Sequence, residues 1–154
     1  MPDVEGYGPQ LKKLSGDECY ALLKSQSVGR LGVIIDGYPV IVPVNYAMDQ
    51  FTVVLRSKPG TKLSAAEHHN VTFEVDDINR SERTGWSVLV RGQGEMLSPA
   101  HSEAVRESTE HTGVKPWVPG DDFQWLRIIP HGISGRRISP SAANDWWWGT
   151  GTYR

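Results

Sequence analysis

Arg56, Ser57, Thr61 and Lys62 fall in one short stretch, RSKPGTK, and together they have the chemistry of an anion cradle. A guanidinium forks two N–H bonds onto anionic oxygens, hydroxyls add single bonds, and an ammonium supplies a mobile point charge. Pro59-Gly60 is a turn signal that folds the backbone so that the four groups can converge on something the size of a phosphate. Thr61 to His68 reads as a short helix, which would set free N–H groups beside the same anion. The competing reading is a hairpin end with solvated charges, and no mechanism-bearing motif decides between the two.

Other reactive residues point to less. His68 and His69 are adjacent and cannot face one metal, and no cysteine or carboxylate stands at ligand spacing, so no metal site is expected. His131, in IPHGIS, could move protons if its loop approached a cofactor; the alternative is a solvated histidine. Asp76-Asp77 and Asp121-Asp122 read as turn or cap residues. Gly92-Gln93-Gly94 lacks the third glycine and the following helix of a dinucleotide loop, and neither a phosphate-binding P-loop nor a Gly-x-Ser-x-Gly elbow occurs.

The elements that must carry these residues are mostly strands. Ser15 with Glu18 makes a capping box for a helix carrying Tyr20, Leu22 and Leu23, in which Cys19 reads as a small apolar residue. From Gly29 the texture is β: GRLGVII, an Asp36-Gly37 turn, YPVIVPVNYAM, a turn at Asp49-Gln50, and FTVVLRS. Pro39 and Pro43 predict that the second of these strands is an edge or carries a bulge near Pro43. The helix over 61–68, the strand VTFEVDD and the long strand GWSVLVRGQGEML follow, with Gly92 and Gly94 marking a sharp bend or bulge. A polar, peripheral helix is predicted from Ser98-Pro99 to His111, and a last strand at FQWLRII. Strands outnumber helices and do not alternate with them, so the fold class is mainly β, a small antiparallel barrel.

The chain has 154 residues, which suits one domain. A net charge of -2 with scattered cations argues against a nucleic-acid partner. One cysteine excludes an intrachain disulfide framework and fits a reducing compartment, and no stretch approaches the roughly 20 apolar residues of a membrane span, so a cytoplasmic protein without a membrane partner is expected. The organisation reads as a flexible arm over 1–13, a barrel over 14–138 and a Trp-rich tail over 139–154. Trp86, Trp117 and Trp125 are expected to supply core or dimer area. Trp146 to Trp148 cannot all face one core, and the tail is expected either to roof a site across a dimer or to lie pinned on its own barrel.

Taken in order, GRLGV, PVNYAMD, VLRSKPGTKL, VTFEVDD and GWSVLVRGQGE resemble the flavin-binding split-barrel family typified by pyridoxamine 5'-phosphate oxidase, over roughly Leu14 to Ile138. The resemblance implies a six-stranded antiparallel split barrel, a homodimer, and FMN sites at the subunit interface. It implies that Arg56, Ser57, Thr61 and Lys62 hold the flavin phosphate and that Pro43, Val44, Asn45 and Tyr46 flank the ring. It implies that Trp86 and Ser87 reach the flavin from the other subunit. After Arg127 there is no counterpart of the Arg and His that hold the vitamer in the oxidase itself, so vitamin B6 oxidation is not expected. The reading is therefore an FMN-binding oxidoreductase acting on a small organic substrate, with deazaflavin-dependent reduction, or non-catalytic flavin or haem binding, as alternatives.

Overall fold

In a strand successive side chains take opposite faces, and that period runs through GWSVLVRGQG so that Val88, Val90, Gly92 and Gly94 are buried while their neighbours are exposed. The computed structural model describes residues 9–140. Its elements are β1 (Gln10–Lys13), α1 (Gly16–Lys24), β2 (Val28–Ile35), β3 (Tyr38–Asp49), β4 (Thr52–Ser57), α2 (Thr61–Ala66), β5 (Asn70–Asn79), β6 (Thr84–Met96), α3 (Glu103–His111) and β7 (Gln124–Ser139). The protein is mainly β, and every strand pairing is antiparallel.

β7, β4, β3, β2, β5 and β6 are neighbours in that order, and β6 pairs back onto β7. Six strands thus form a partial ring, with β1 added beside β7. The β2–β5 join rests on Arg30↔Glu74, Leu31↔Phe73 and Gly32↔Thr72 alone, so the ring is thinnest there. Inside it lie Leu31, Val53, Leu55, Phe73, Val75, Val88, Leu126 and Ile128, all fully buried. Each such side chain contributes roughly 1.5–3 kcal/mol by leaving water. α1 covers the core with Cys19 and Leu23. Its capping box forms as the sequence predicts, with Ser15 N–H donating to Glu18 Oε2 at 2.7 Å and Glu18 N–H donating to Ser15 Oγ at 3.2 Å. Those bonds hold the Glu18 carboxyl below the usual carboxylate range.

Several expectations are corrected. Gln10–Lys13 is no loose arm: it pairs with Arg136–Ser139, giving β7 a partner on its second edge. β3 is an edge over Tyr38–Asn45, as its prolines predict. β4 pairs with Tyr46–Asp49, whereas Pro39 and Pro43 pair with β2 alone, in continuous register and without a bulge, where a missing N–H interrupts no second ladder. A bulge does lie where Gly92 predicts one, between Arg91 and Gly92 in the β6–β7 ladder, which skips His131. Gly92 and Gly94 permit close backbone approach there, since a Cβ would come 2.3 Å from Ile129 O and 2.0 Å from Ala66 O, respectively. α2 stops at Ala66 because Glu67 leaves the helix to bridge Gly94. α3 starts late because Ser98 closes its own turn with Ala100 and His101, and Ser102 then caps the helix through Val105 N–H. β7 runs well past FQWLRII because β6 pairs along its whole second half. The Asp36-Gly37 turn has positive φ at both residues, as a two-residue hairpin requires. Trp146 to Trp148 lie outside the described residues.

Because Val53 and Leu55 face the core, Val54 and Arg56 take the outer face of β4, and Trp125 and Arg127 join them from β7. The segment between β6 and β7 covers this outer face, with Thr109 and Val114 buried beneath it. That cover shapes the site.

Candidate functional site

Arg56, next to last in β4, stands opposite Trp125 in the β7 register, and this pairing decides its environment. Its guanidinium carbon lies 4.9 Å from the Trp125 ring centroid and 5.8 Å from that of Phe123. Rings hold a cation in place but leave its hydrogen-bonding capacity unused. Arg56 Nε is buried and has no hydrogen-bond partner. An unsatisfied buried donor costs roughly 1–3 kcal/mol. Lys62, at the start of α2, is half-buried, and burial pulls its ammonium pKa down from the ordinary lysine value. Among the described residues neither Arg56, Lys58 nor Lys62 forms an ion pair.

These groups line a cavity of about 510 Å³. Pro43, Val44 and Asn45 of β3 form one wall, and Arg56, Ser57, Thr61 and Lys62 form the charged end. Pro116, Trp117, Val118 and Phe123 close it from the segment that covers β4 and β7. The volume falls within the roughly 300–1,000 Å³ usual for small-molecule sites. Donors that no described residue satisfies, set in a half-apolar cleft, suit an anionic ligand with a large apolar body.

Of the residues singled out in the sequence, the chain gathers Pro43, Val44, Asn45, Arg56, Ser57, Thr61 and Lys62. It does not bring in Tyr46, whose ring packs edge-on against Phe73 at 4.9 Å and whose hydroxyl donates to Leu23 O at 2.5 Å. That hydroxyl is held neutral by burial, its pKa pushed well up. Trp86 and Ser87 lie on β6 opposite Arg137 and Arg136. Trp86 lines a separate cavity of about 740 Å³ with Asp77 and Arg137. Within one chain these two residues do not join the Arg56 cavity. His131, exposed at the bulge, lines a third cavity of about 560 Å³ with Arg91 and Thr72. Phe123 and Trp125 were legible only as core or strand aromatics. Their period-2 spacing with Arg127 was the available signal, but only the register with β4 sets them against Arg56.

A second charge centre lies on the same outer face. Arg127 is 8% exposed, and its Nη1 donates to Asp49 Oδ2 at 3.0 Å and to Thr109 Oγ1. Ser108 Oγ donates to the same Asp49 oxygen at 2.8 Å, and Glu95 Oε2 lies 3.9 Å from Arg127 Nε. This cluster ties α3 to β3, β6 and β7.

A family model described as pyridoxamine 5'-phosphate oxidase matches residues 15–137. The solved structure of the FAD binding protein from Mycobacterium smegmatis is similar at 37% identity and a TM-score of 0.72, covering 83% of this chain and 100% of that one. A FAD-binding protein from Mesorhizobium loti is similar at 30% identity and a TM-score of 0.68, covering 84% of this chain and 99% of that one. An uncharacterised protein of Mycobacterium tuberculosis is 30% identical over 135 residues, 84% of this chain and 86% of the relative. No helix among the described residues is long and apolar enough to cross a membrane.

Proposed function

This chain belongs to the pyridoxamine 5'-phosphate oxidase family, and from that premise we propose that it is a flavin-binding oxidoreductase holding the flavin phosphate between Arg56, Ser57, Thr61 and Lys62. The observation that carries the reading is the buried Nε of Arg56, without a partner among the described residues, in one cavity with a half-buried Lys62, and no described carboxylate paired to either. A phosphate monoester or diester supplies the oxygens these donors lack, in a bidentate geometry that arginine matches. FMN and FAD share the phosphate next to the ribityl chain, so the same cradle serves both. FMN is the flavin expected from sequence, whereas the two similar structures described above are named for FAD.

Asn45 and the one-sided backbone edge of β3 at Pro43–Asn45 are the groups that would hydrogen-bond the polar rim of the ring. The flavin, when bound, supplies the electron chemistry, and the protein's part is to bind it, orient it and limit water around it. No protein nucleophile is needed. A reduced nicotinamide or a second flavin is the proposed electron donor, and a small electron-poor organic molecule the acceptor.

The proposal includes a homodimer in which Trp86 and Ser87 of one subunit complete the site of the other. Its support is apolar surface on the β2–β3 hairpin, where Ile34, Tyr38 and Ile41 are 56%, 74% and 70% exposed. The decisive experiment is flavin titration of the purified protein beside Arg56→Ala combined with Lys62→Ala. The double change should weaken binding by about 2 kcal/mol or more, roughly thirtyfold, through loss of charge-assisted bonds. Unchanged affinity places the phosphate elsewhere, and a protein that takes up neither FMN nor FAD defeats the reading.

A further inference from the structure

We infer that the flavin held here is the adenine dinucleotide, with Trp117 as the platform for the adenine ring and Lys58 as the counter-charge of the second phosphate. The inference rests on the flavin reading above and names the part of the ligand that reading leaves open.

Arg56, Ser57, Thr61 and Lys62 suffice for one phosphate, and Lys58 stands apart from them. Its ammonium nitrogen lies 5.8 Å from the Phe123 ring centroid, on the side of the 116–120 turn. A Cβ added at Gly120 would come 3.0 Å from Lys58 Cε and 3.1 Å from Nζ, so the side chain is laid against that turn. Gly120 has φ +146, a backbone state that side chains rarely adopt, which keeps the position open. The third cation therefore marks a direction, from the Arg56 end of the cavity toward Trp117.

Trp117 is 83% exposed although it forms part of the cavity wall. It takes part in no aromatic pair among the described residues. Pro116 and Pro119 bracket it, and their fixed φ angles stiffen the segment that presents the ring. A large planar ring held in water by a stiff loop, beyond an ammonium that forms no ion pair among the described residues, suits a second phosphate followed by a base. Bases stack on such rings whatever their hydrogen-bonding edge. The dinucleotide is the flavin that supplies both.

The test is calorimetric titration with FAD and with FMN of the wild type, Trp117→Ala, Trp117→Phe and Lys58→Ala. Wild-type protein should bind FAD at least about tenfold more tightly than FMN, about 1.4 kcal/mol. Trp117→Ala should bring that ratio close to one by weakening FAD alone, with FMN affinity within twofold of wild type. Trp117→Phe should keep most of the preference, and Lys58→Ala should weaken FAD about threefold and FMN hardly at all. Because Lys58 is exposed, its variant carries the test if Trp117→Ala folds poorly. Equal affinity of the wild type for the two flavins, or an equal loss of both in Trp117→Ala, overturns the inference while leaving the flavin reading intact. Failure of both flavins to bind the wild type sinks the flavin reading, and this inference with it.

Discussion

Arg56 and Arg127 occupy the same outer face of the β4–β7 pair, each with a buried Nε that no acceptor bonds, yet the chain surrounds them in opposite ways. Arg127 is met by Asp49 at 3.0 Å, by the Thr109 hydroxyl and by the Glu95 charge at 3.9 Å. Arg56 is met by two aromatic rings and, among the described residues, by no carboxylate. A buried cation answered from within its own chain holds elements together, and one held by rings alone keeps its bonds for a ligand. The same residue type is therefore a brace at one position and, in the function proposed above, a receptor at the other.

Removing each arginine is the strongest way to break that contrast. Arg127→Ala strands Asp49 in a half-buried site and frees α3, and should cost about 3–5 kcal/mol of folding stability, measured by urea denaturation without ligand. Arg56→Ala under the same conditions should change stability by less than about 1 kcal/mol, because it removes no ion pair. Similar losses from the two would end the distinction. Adding flavin should reverse the order of importance. At a hundredfold excess over the wild-type Kd it should stabilise the wild type by about 2.7 kcal/mol and, at the same concentration, Arg56→Ala combined with Lys62→Ala by no more than about 0.9 kcal/mol. Thr109→Val is the milder probe of the brace: it removes one acceptor of Arg127 Nη1, should cost about 1–2 kcal/mol, and should leave flavin affinity unchanged.

The contrast also marks how far a sequence reading reaches. Local signals held: the Ser15–Glu18 cap, the Asp36-Gly37 hairpin and the period-2 strands all depend on neighbours within a few residues. The Arg56–Lys62 stretch was legible for the same reason, since one turn brings its ends together. Long-range pairing was not legible. Asp49 and Arg127 are 78 residues apart, and nothing in either neighbourhood announces the other. Trp125 meets Arg56 only through the β4–β7 register, and β1 exists only because β7 offers an edge. The late start of α3 is a different failure, in which Ser98 and Ser102 both had cap chemistry and only the packed chain chose between them. Trp86 and Ser87 belong to another level again, because in one chain they face β5 and β7 and not the Arg56 cavity.

The smallest expected effect is one of pH, and it separates the two centres without disturbing the fold. Burial lowers the Lys62 pKa in the folded protein, so the folded state favours the neutral amine more than the unfolded chain does. The stability tied to this group is therefore greatest above the unfolded lysine value and is lost as pH falls through the folded one. A bound phosphate works the other way, because it favours the ammonium and lifts the pKa again. Flavin affinity should accordingly fall as pH rises toward 10, beginning below the pH at which an ordinary lysine titrates, and by a few-fold across that window. Lys62→Arg should flatten the profile, since a guanidinium stays charged throughout, and Lys62→Ala should give a weaker but equally flat one. The brace at Arg127 contains no lysine, so urea stability attributed to it by the Arg127→Ala difference should not follow the same alkaline profile. A flavin affinity that stays level up to pH 10 in the wild type would mean that Lys62 does not face the phosphate, leaving Arg56 as the cation of the site.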